Sequence, residues 1–269
     1  MLKKIRLYKY LPLTEGSLKI LSEGTIKFTK PSDFNDPFDC DPEHEPDYVD
    51  KYISSRPDVV EQVLKYRNAR CKGIDKEIEA MKNRLQEAID NRHFGQGASD
   101  DIGICSLSRK PLNLLMWAHY AKNHTGFVVE FEIPLESFYP ADDDVKYMEW
   151  LIPQKVEYDY EKPIVKYDDD QDTKMKKQFL VKGKDWEYEQ EERVIDFIRK
   201  SGIHKYNRNA ILKSVIAGIR ISPRDFDKLS KVVNAIRDEG LKVDLFSAIR
   251  LKGKYGISVK ERPDLKQEK

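Results

Sequence analysis

The stretch that most constrains the fold is Gly126-Phe127-Val128-Val129-Glu130-Phe131-Glu132-Ile133. A short, near-continuous apolar run opened by glycine has the length of a strand rather than a helix, and such a run is expected in the centre of a sheet. Further strands are expected at 5–10, 25–29, 102–107, 155–160, 193–198, 215–221, 241–246 and 255–259, where apolar and β-branched residues gather between turn signals. The order of strands and helices shows no regular βαβ alternation. It predicts an α+β fold: a mixed or antiparallel split sheet of short strands with peripheral helices.

Helices are signalled by period. Thr14 is placed to cap a short helix carrying Leu18, Ile20 and Leu21, closed by Gly24. Residues 57–92 form the strongest helical region, with Val60, Val63 and Leu64 followed by Ile74, Ile78, Met81, Leu85 and Ile89 at helical spacing. A break at Cys71-Lys72-Gly73 divides it in two, and the stretch 95–101 ends it. Helices are also expected over 114–121 and 172–182, and from Pro223 to Gly240. Pro31, Asn35-Asp36 and Pro37 mark a turn-rich loop over roughly 30–46. With no repeat and no Gly/Ser linker, the expected organisation is one domain over 1–269 with a helical insertion at about 50–96.

Several function classes are excluded early. No G-x-G-x-x-G follows a strand and no G-x-x-x-x-G-K-[ST] occurs, so neither a Rossmann nor a P-loop site is expected. No window approaches the roughly 18 apolar residues of a membrane span, so no membrane partner is expected. The N-terminal stretch is basic but has no apolar core or small-residue cleavage site, which predicts no secretory signal. Three widely spaced cysteines, Cys40, Cys71 and Cys105, fit neither a disulfide framework nor a cysteine-only zinc site, and they predict a reducing, cytoplasmic setting. Charged residues make up 35% of the chain, above the usual quarter or so, which describes a water-facing protein. The net charge is +1, but residues 199–269 carry a net +10 and the remainder −9. Such asymmetry permits a polyanion-facing end, although scattered lysines equally describe a solvated surface.

Four segments concentrate polar and aromatic residues beside expected strands. They are Leu7-Tyr8-Lys9-Tyr10, Phe34-Asn35-Asp36-Pro37-Phe38-Asp39, the stretch 115–126 (Leu-Met-Trp-Ala-His-Tyr-Ala-Lys-Asn-His-Thr-Gly) and the stretch 186–193 (Trp-Glu-Tyr-Glu-Gln-Glu-Glu-Arg). In order and approximate spacing they resemble the bacterial and phage family catalogued as domain of unknown function 2971. Two positions depart from that pattern. Cys105-Ser106-Leu107-Ser108 lacks the aromatic of a Cys-Phe-Ser strand, and Glu192 stands where an aromatic precedes Arg193.

The layout also resembles, more weakly, an ADP-ribosyltransferase-type domain, with Lys9 or its flanking tyrosines in place of the first-strand His or Arg. That resemblance implies NAD as substrate, no metal, and a protein or nucleic-acid acceptor or water, in a defence or toxin setting. It implies Glu191 and His119 as catalytic groups. It implies Lys9, Tyr10, Asn35, Asp36, Trp117, Tyr120, His124, Glu189 and Arg193 around the small nucleotide substrate. Cleavage of the nicotinamide–ribose bond passes through an oxocarbenium-like state that a carboxylate stabilises. Aromatic rings stack the base, and cationic side chains hold the pyrophosphate.

The same residues have simpler uses. Glu189, Glu191 and Glu192 would be a solvated cluster by default. On a strand over 187–198, Glu189 and Glu191 share one face while Glu192 joins Val194 on the other. His119 and His124 lack the further ligands of a zinc site, and a buried histidine bonded to backbone is the plain alternative. Trp117 and Tyr120 equally suit core packing, and Asn35-Asp36 suits a turn. Lys9 on a core strand implies a partner for its ammonium. Two further functions therefore stand beside the enzyme: a nucleic-acid-binding or nuclease module using 199–269, and a non-catalytic scaffold whose polar motifs form a buried network.

Overall fold

The computed structural model describes residues 3–66, 73–91, 102–135 and 144–265. The strands are β1 (Lys4–Leu11), β2 (Thr25–Phe28), β3 (Glu43–His44), β4 (Gly103–Ser108), β5 (Phe127–Pro134), β6 (Gln154–Lys155), β7 (Glu157–Asp159), β8 (Ile164–Val165), β9 (Val181–Gly183), β10 (Glu191–Asp196), β11 (Gly202–Lys205), β12 (Leu212–Ala217), β13 (Asp244–Arg250) and β14 (Ile257–Val259). The helices are α1 (Glu15–Ser22), α2 (Tyr48–Ser55), α3 (Pro57–Tyr66), α4 (Ile74–Asp90), α5 (Leu114–His119), α6 (Asp144–Met148), α7 (Gln171–Phe179), α8 (Arg208–Ile211) and α9 (Pro223–Asp238). The chain divides into two compact units, one of residues 1–30, 102–156 and 185–269, the other of 31–101 and 157–184.

The first unit is built on an eight-stranded sheet in the order β14-β13-β12-β5-β1-β4-β10-β6. β5 lies in its interior, antiparallel to β1 from Lys4↔Pro134 to Leu11↔Phe127 and antiparallel to β12 on its other side. The sheet is mixed because β12 and β13 run parallel, joined through α9. Alternation along each strand divides the core in two. On one face Leu7, Cys105, Leu107, Val129, Phe131, Val194 and Val215 pack with Ile20 and Leu21 of α1 and Leu229, Val233 and Ile236 of α9. On the other, Tyr8, Tyr10, Val128 and Ile216 pack with Met116 and Trp117 of α5 and with Ile257 and Val259 of β14. This second face also carries a polar row. Ser214, Glu130, Tyr8, Ser108 and Glu191 are successive register partners across β12, β5, β1, β4 and β10, and all five are buried.

Local signals explain the helix ends. Thr14 closes a capping box with Ser17 at the start of α1. Ser222 caps α9 ahead of Pro223, its side chain accepting from the Asp225 N–H at 3.1 Å. In the second unit α2, α3 and α4 pack together beside the parallel pairs β3–β8 and β7–β9. The Asp36 side chain accepts from the Phe38 N–H at 2.9 Å and fixes the expected turn. A buried Lys182–Asp39 ion pair at 3.5 Å holds the loop that follows.

Three expectations are corrected. The strand expected over 155–160 is two pieces, because β6 pairs with β10 and β7 with β9 on either side of buried Val156. The helix expected to 182 stops at Phe179, and Val181–Gly183 extends to pair with β7. The strand expected over 193–198 runs from Glu191 to Asp196, and the face-sharing that a start at 187 would give does not arise, because Gln190 adopts a left-handed φ of 46° and Glu189 closes a 3-10 turn over Lys184–Glu189. Glu189 is therefore not on the strand with Glu191, whereas Glu192 and Val194 do share a face opposite Leu107 and Cys105. Cys71 and Lys72 of the expected helix break, and the 95–101 stretch, lie outside the described residues.

Gly126 precedes β5 where a Cβ would meet the Leu11 carbonyl oxygen at 2.1 Å. Gly126→Ala is expected to cost about 1–3 kcal/mol or more in urea unfolding, since the obstacle is backbone that cannot rotate away. At Gly16 of α1 the nearest atom is 3.9 Å away, and Gly16→Ala should be neutral or stabilising by up to ~1 kcal/mol. Equal losses at both positions would sink the close-approach account.

Candidate functional site

The site region begins at α5. Asn113 caps it, its Oδ1 accepting from the N–H groups of Leu115 (2.9 Å) and Met116 (3.2 Å), while its Nδ2 donates to the Tyr188 carbonyl at 3.0 Å. One side chain thus ties the helix to the 186–193 segment. Trp117 is fully buried, its indole N–H donating to the Pro111 carbonyl at 2.9 Å and its ring meeting Tyr10 edge-on at 5.5 Å. The Tyr10 hydroxyl donates to the Lys110 carbonyl at 2.5 Å, and burial pushes its ionisation well above the usual tyrosine range. Trp117 and Tyr10 are core residues of this face.

After α5 the chain makes a left-handed turn. Lys122, Asn123 and His124 have φ of 47°, 54° and 67°. Each such residue costs about 1–2 kcal/mol relative to right-handed backbone. The turn is held by N–H donation from Asn123 to the Ala118 carbonyl (3.1 Å), from His124 to that of Trp117 (3.1 Å), and from Gly126 to that of Ala121 (2.9 Å). The His124 carbonyl in turn accepts from Arg220 N–H at 3.0 Å. The His124 ring lies parallel to Trp117 at 6.3 Å, and its Nδ1 is buried with no hydrogen-bond partner among the described residues. Burial, and then the Arg220 charge, lower its pKa. These contacts give His124 a packing role.

The carboxylates behave differently from one another. Glu191 is engaged by Arg193 through two bonds, Nε to Oε1 at 2.9 Å and Nη2 to Oε2 at 3.1 Å, and Arg193 is fully buried. Glu192, on the opposite face, pairs with Arg109. Glu189, also buried, accepts from the Tyr120 hydroxyl at 2.6 Å, and its carbonyl accepts from Ser108 Oγ at 2.6 Å. Tyr120 continues to the surface: its ring is 6.3 Å from exposed His119, which is 6.4 Å from Tyr188, which is 6.1 Å from Trp186. A row of partly exposed rings therefore leads to a buried carboxylate, with Tyr120 as the shared member.

The structure thus joins His119, Tyr120 and Glu189 by contact, and Glu191 with Arg193, while Tyr10, Trp117 and His124 pack with one another. Lys9 alternates to the other face of β1, and its Nζ donates to the Ser106 carbonyl at 2.7 Å rather than to a carboxylate. Asn35 and Asp36 belong to the second unit. Sequence reasoning marked the segment holding Trp186 and Tyr188 without assigning either a role, and it missed Ser108, Asn113, and Glu130 with Arg262. The signal for Glu130 was present: a charge in the middle of an apolar run. No group of three or more His, Cys, Asp or Glu side chains among the described residues is placed to hold a metal. No described helix is long and apolar enough to cross a membrane. An apolar groove of about 670 Å³ among α2, α3 and α4, lined by Ile53, Val60, Met81 and Leu85, presents neither carboxylate nor histidine.

The family model that matches the chain, over residues 116–194, is described as a protein of unknown function (DUF2971). It spans both the Trp117–Gly126 and the Trp186–Arg193 motifs, and this stretch is similar to that family. No curated protein and no solved structure matches the chain.

Two comparisons test the electrostatics. Arg193→Met leaves Glu191 buried without its guanidinium and should cost about 3–5 kcal/mol in urea unfolding, with most of the loss recovered in Arg193→Met/Glu191→Leu. A single-variant loss under 1 kcal/mol would contradict the pairing. His124 has a depressed folded-state pKa, so its contribution to stability is full above the unfolded value near 6.5 and is lost as pH falls below it. His124→Asn, which tolerates a left-handed φ, should reduce the drop in Tm between pH 7.5 and 5.5. An unchanged drop would remove His124 from the acid response.

Proposed function

We propose that the face bearing Glu189, Glu191 and the ring row is a nucleotide site where NAD is cleaved at the nicotinamide–ribose bond. The ADP-ribosyl group passes to water or to a protein or nucleic-acid acceptor. The observation that carries this reading is the Tyr120–Glu189 contact at 2.6 Å, because Tyr120 belongs at once to the ring row and to the carboxylate. Partly exposed aromatic rings suit a flat base, and a carboxylate beside them suits the positive charge that develops on the ribose. When the bond breaks, its electron pair leaves with the nicotinamide nitrogen, and the acceptor oxygen adds to the ribose carbon and loses its proton.

Of the two acids, Glu189 fits the electrostatic role better. Its carboxylate accepts from Tyr120 of the ring row, whereas Glu191 is engaged by Arg193. Glu191 then acts as a positioning residue that, with Arg193, fixes the start of β10. A second reading, a structural network without chemistry, is favoured by one observation: Arg193 is fully buried and its fork is matched to Glu191.

Nicotinamide release from NAD by wild type, Glu189→Gln and Glu191→Gln separates the two. The enzyme reading expects release by wild type and a fall of about 10²-fold or more in Glu189→Gln at matched Tm. Release unchanged in Glu189→Gln, or none from wild type with protein and nucleic acid offered as acceptors, overturns it. In that case a Tm loss alone in both variants belongs to the structural network.

A further inference from the structure

Glu130 lies at the centre of β5 with no exposed surface, and its two oxygens are approached by three hydrogen-bonding side chains and, at 3.8 Å from Oε1, by Arg6 Nε of β1. Ser214 Oγ, on β12, donates to Oε2, and the Tyr8 hydroxyl, on β1, approaches Oε1 at 3.4 Å. Arg262 closes the set as a fork, Nη1 to Oε2 at 2.7 Å and Nη2 to Oε1 at 3.0 Å. The Arg262 guanidinium also lies 5.5 Å from the Phe246 ring centroid. The acceptor, the two flanking hydroxyls and the aromatic ring all come from sheet strands. The guanidinium comes from a segment after β14 that is held by turn bonds of its own, Arg262 N–H to Val259 carbonyl and Leu265 N–H to Arg262 carbonyl, each at 3.0 Å. Two polar ties hold this segment to the sheet: Arg262 to Glu130, and Asp264 to Arg6 at 2.8 Å.

We propose that Glu130, Tyr8, Ser214 and Phe246 form a guanidinium-binding site, filled in cis by Arg262 and open to an arginine-type ligand when that segment lifts. The sheet presents a rigid two-oxygen acceptor whose geometry matches a planar fork, which an ammonium cannot reproduce. An ionised carboxylate this deep is costly without a cation, so the site favours exchange of one guanidinium for another over vacancy. The ligand is therefore a guanidinium, carried either by an arginine of a partner chain or by free arginine. The inference does not depend on NAD chemistry at Glu189.

The test uses the full chain. Arg262→Ala should lower Tm, and ethylguanidinium at millimolar concentration should restore at least ~3 °C of the loss, while ethylammonium at the same concentration restores none. The restoration should vanish in Arg262→Ala/Glu130→Gln. Equal effects of the two cations, or rescue that survives Glu130→Gln, overturn the proposal, as does an Arg262→Ala protein as stable as wild type. Should Arg262→Ala not fold, Arg262→Lys keeps the charge, and the same differential between the two cations is required of it. Free arginine and N-acetyl-arginine amide distinguish the sources: rescue by the capped form assigns the site to a peptide arginine, and rescue by free arginine alone assigns it to the small molecule.

Discussion

A carboxylate in the middle of a buried interior strand has to be neutralised and saturated, and Glu130 imposes that demand on the whole first unit. Its donors come from Tyr8, Ser214 and Arg262, which are far apart in the chain and meet only in the finished sheet. The residue therefore acts as a register pin. Tyr8↔Glu130 and Ser214↔Glu130 fix β1 and β12 against β5, and a slip by one residue would turn Glu130 into the apolar cluster around Val129. Apolar alternation alone would hold these strands less firmly, since β5 is apolar on both faces and offers little penalty for inversion.

The same row continues to the candidate site. Tyr8 faces Ser108 across β1 and β4, and Ser108 faces Glu191 across β4 and β10. Ser108 is a junction: its hydroxyl donates to the Glu189 carbonyl and also accepts from the Lys110 N–H, while the Lys110 carbonyl accepts from Tyr10. The left-handed Gln190 lets Glu189 and Glu191 leave the chain on different terms, one toward Tyr120 and one toward Arg193. Backbone strain at that point is thus tied to the separation of the two acids, one bonded to Tyr120 and one to Arg193.

Much of this was legible. The central placement of β5, the Thr14 cap, α9 with its Pro223 start and the turn at Asp36 followed from period and capping chemistry, which act over a few residues. The opposite facing of Glu192 and Glu191 followed from strand alternation. What escaped was set by partners distant in sequence. The 155–160 segment reads as one strand, yet its halves join different sheets. Lys9 called for an anion and found the Ser106 carbonyl beside a seam where β1 and β4 barely pair. Trp117, a candidate pocket residue, is enclosed, while Tyr188 and Trp186, three and five residues before Glu191 in a marked aromatic segment, line the ring row that local patterns could not assemble.

The uneven charge along the chain acquires a physical reason from the same contacts. Residues 199–269 hold the basic excess, and several of those cations act within the fold. Arg262 neutralises Glu130, and Arg199 pairs with buried Asp196. Arg208 donates to the carbonyls of Leu21 and Ser22, and Lys205 to that of Glu23, so the C-terminal end of α1, where the helix dipole is negative, is met by two cations from the basic third. A charge used in this way is unavailable to a polyanion, because removing it would leave a buried carboxylate or a helix end unsatisfied. For these four cations the charge is a complement to the fold before it is a surface for anything else.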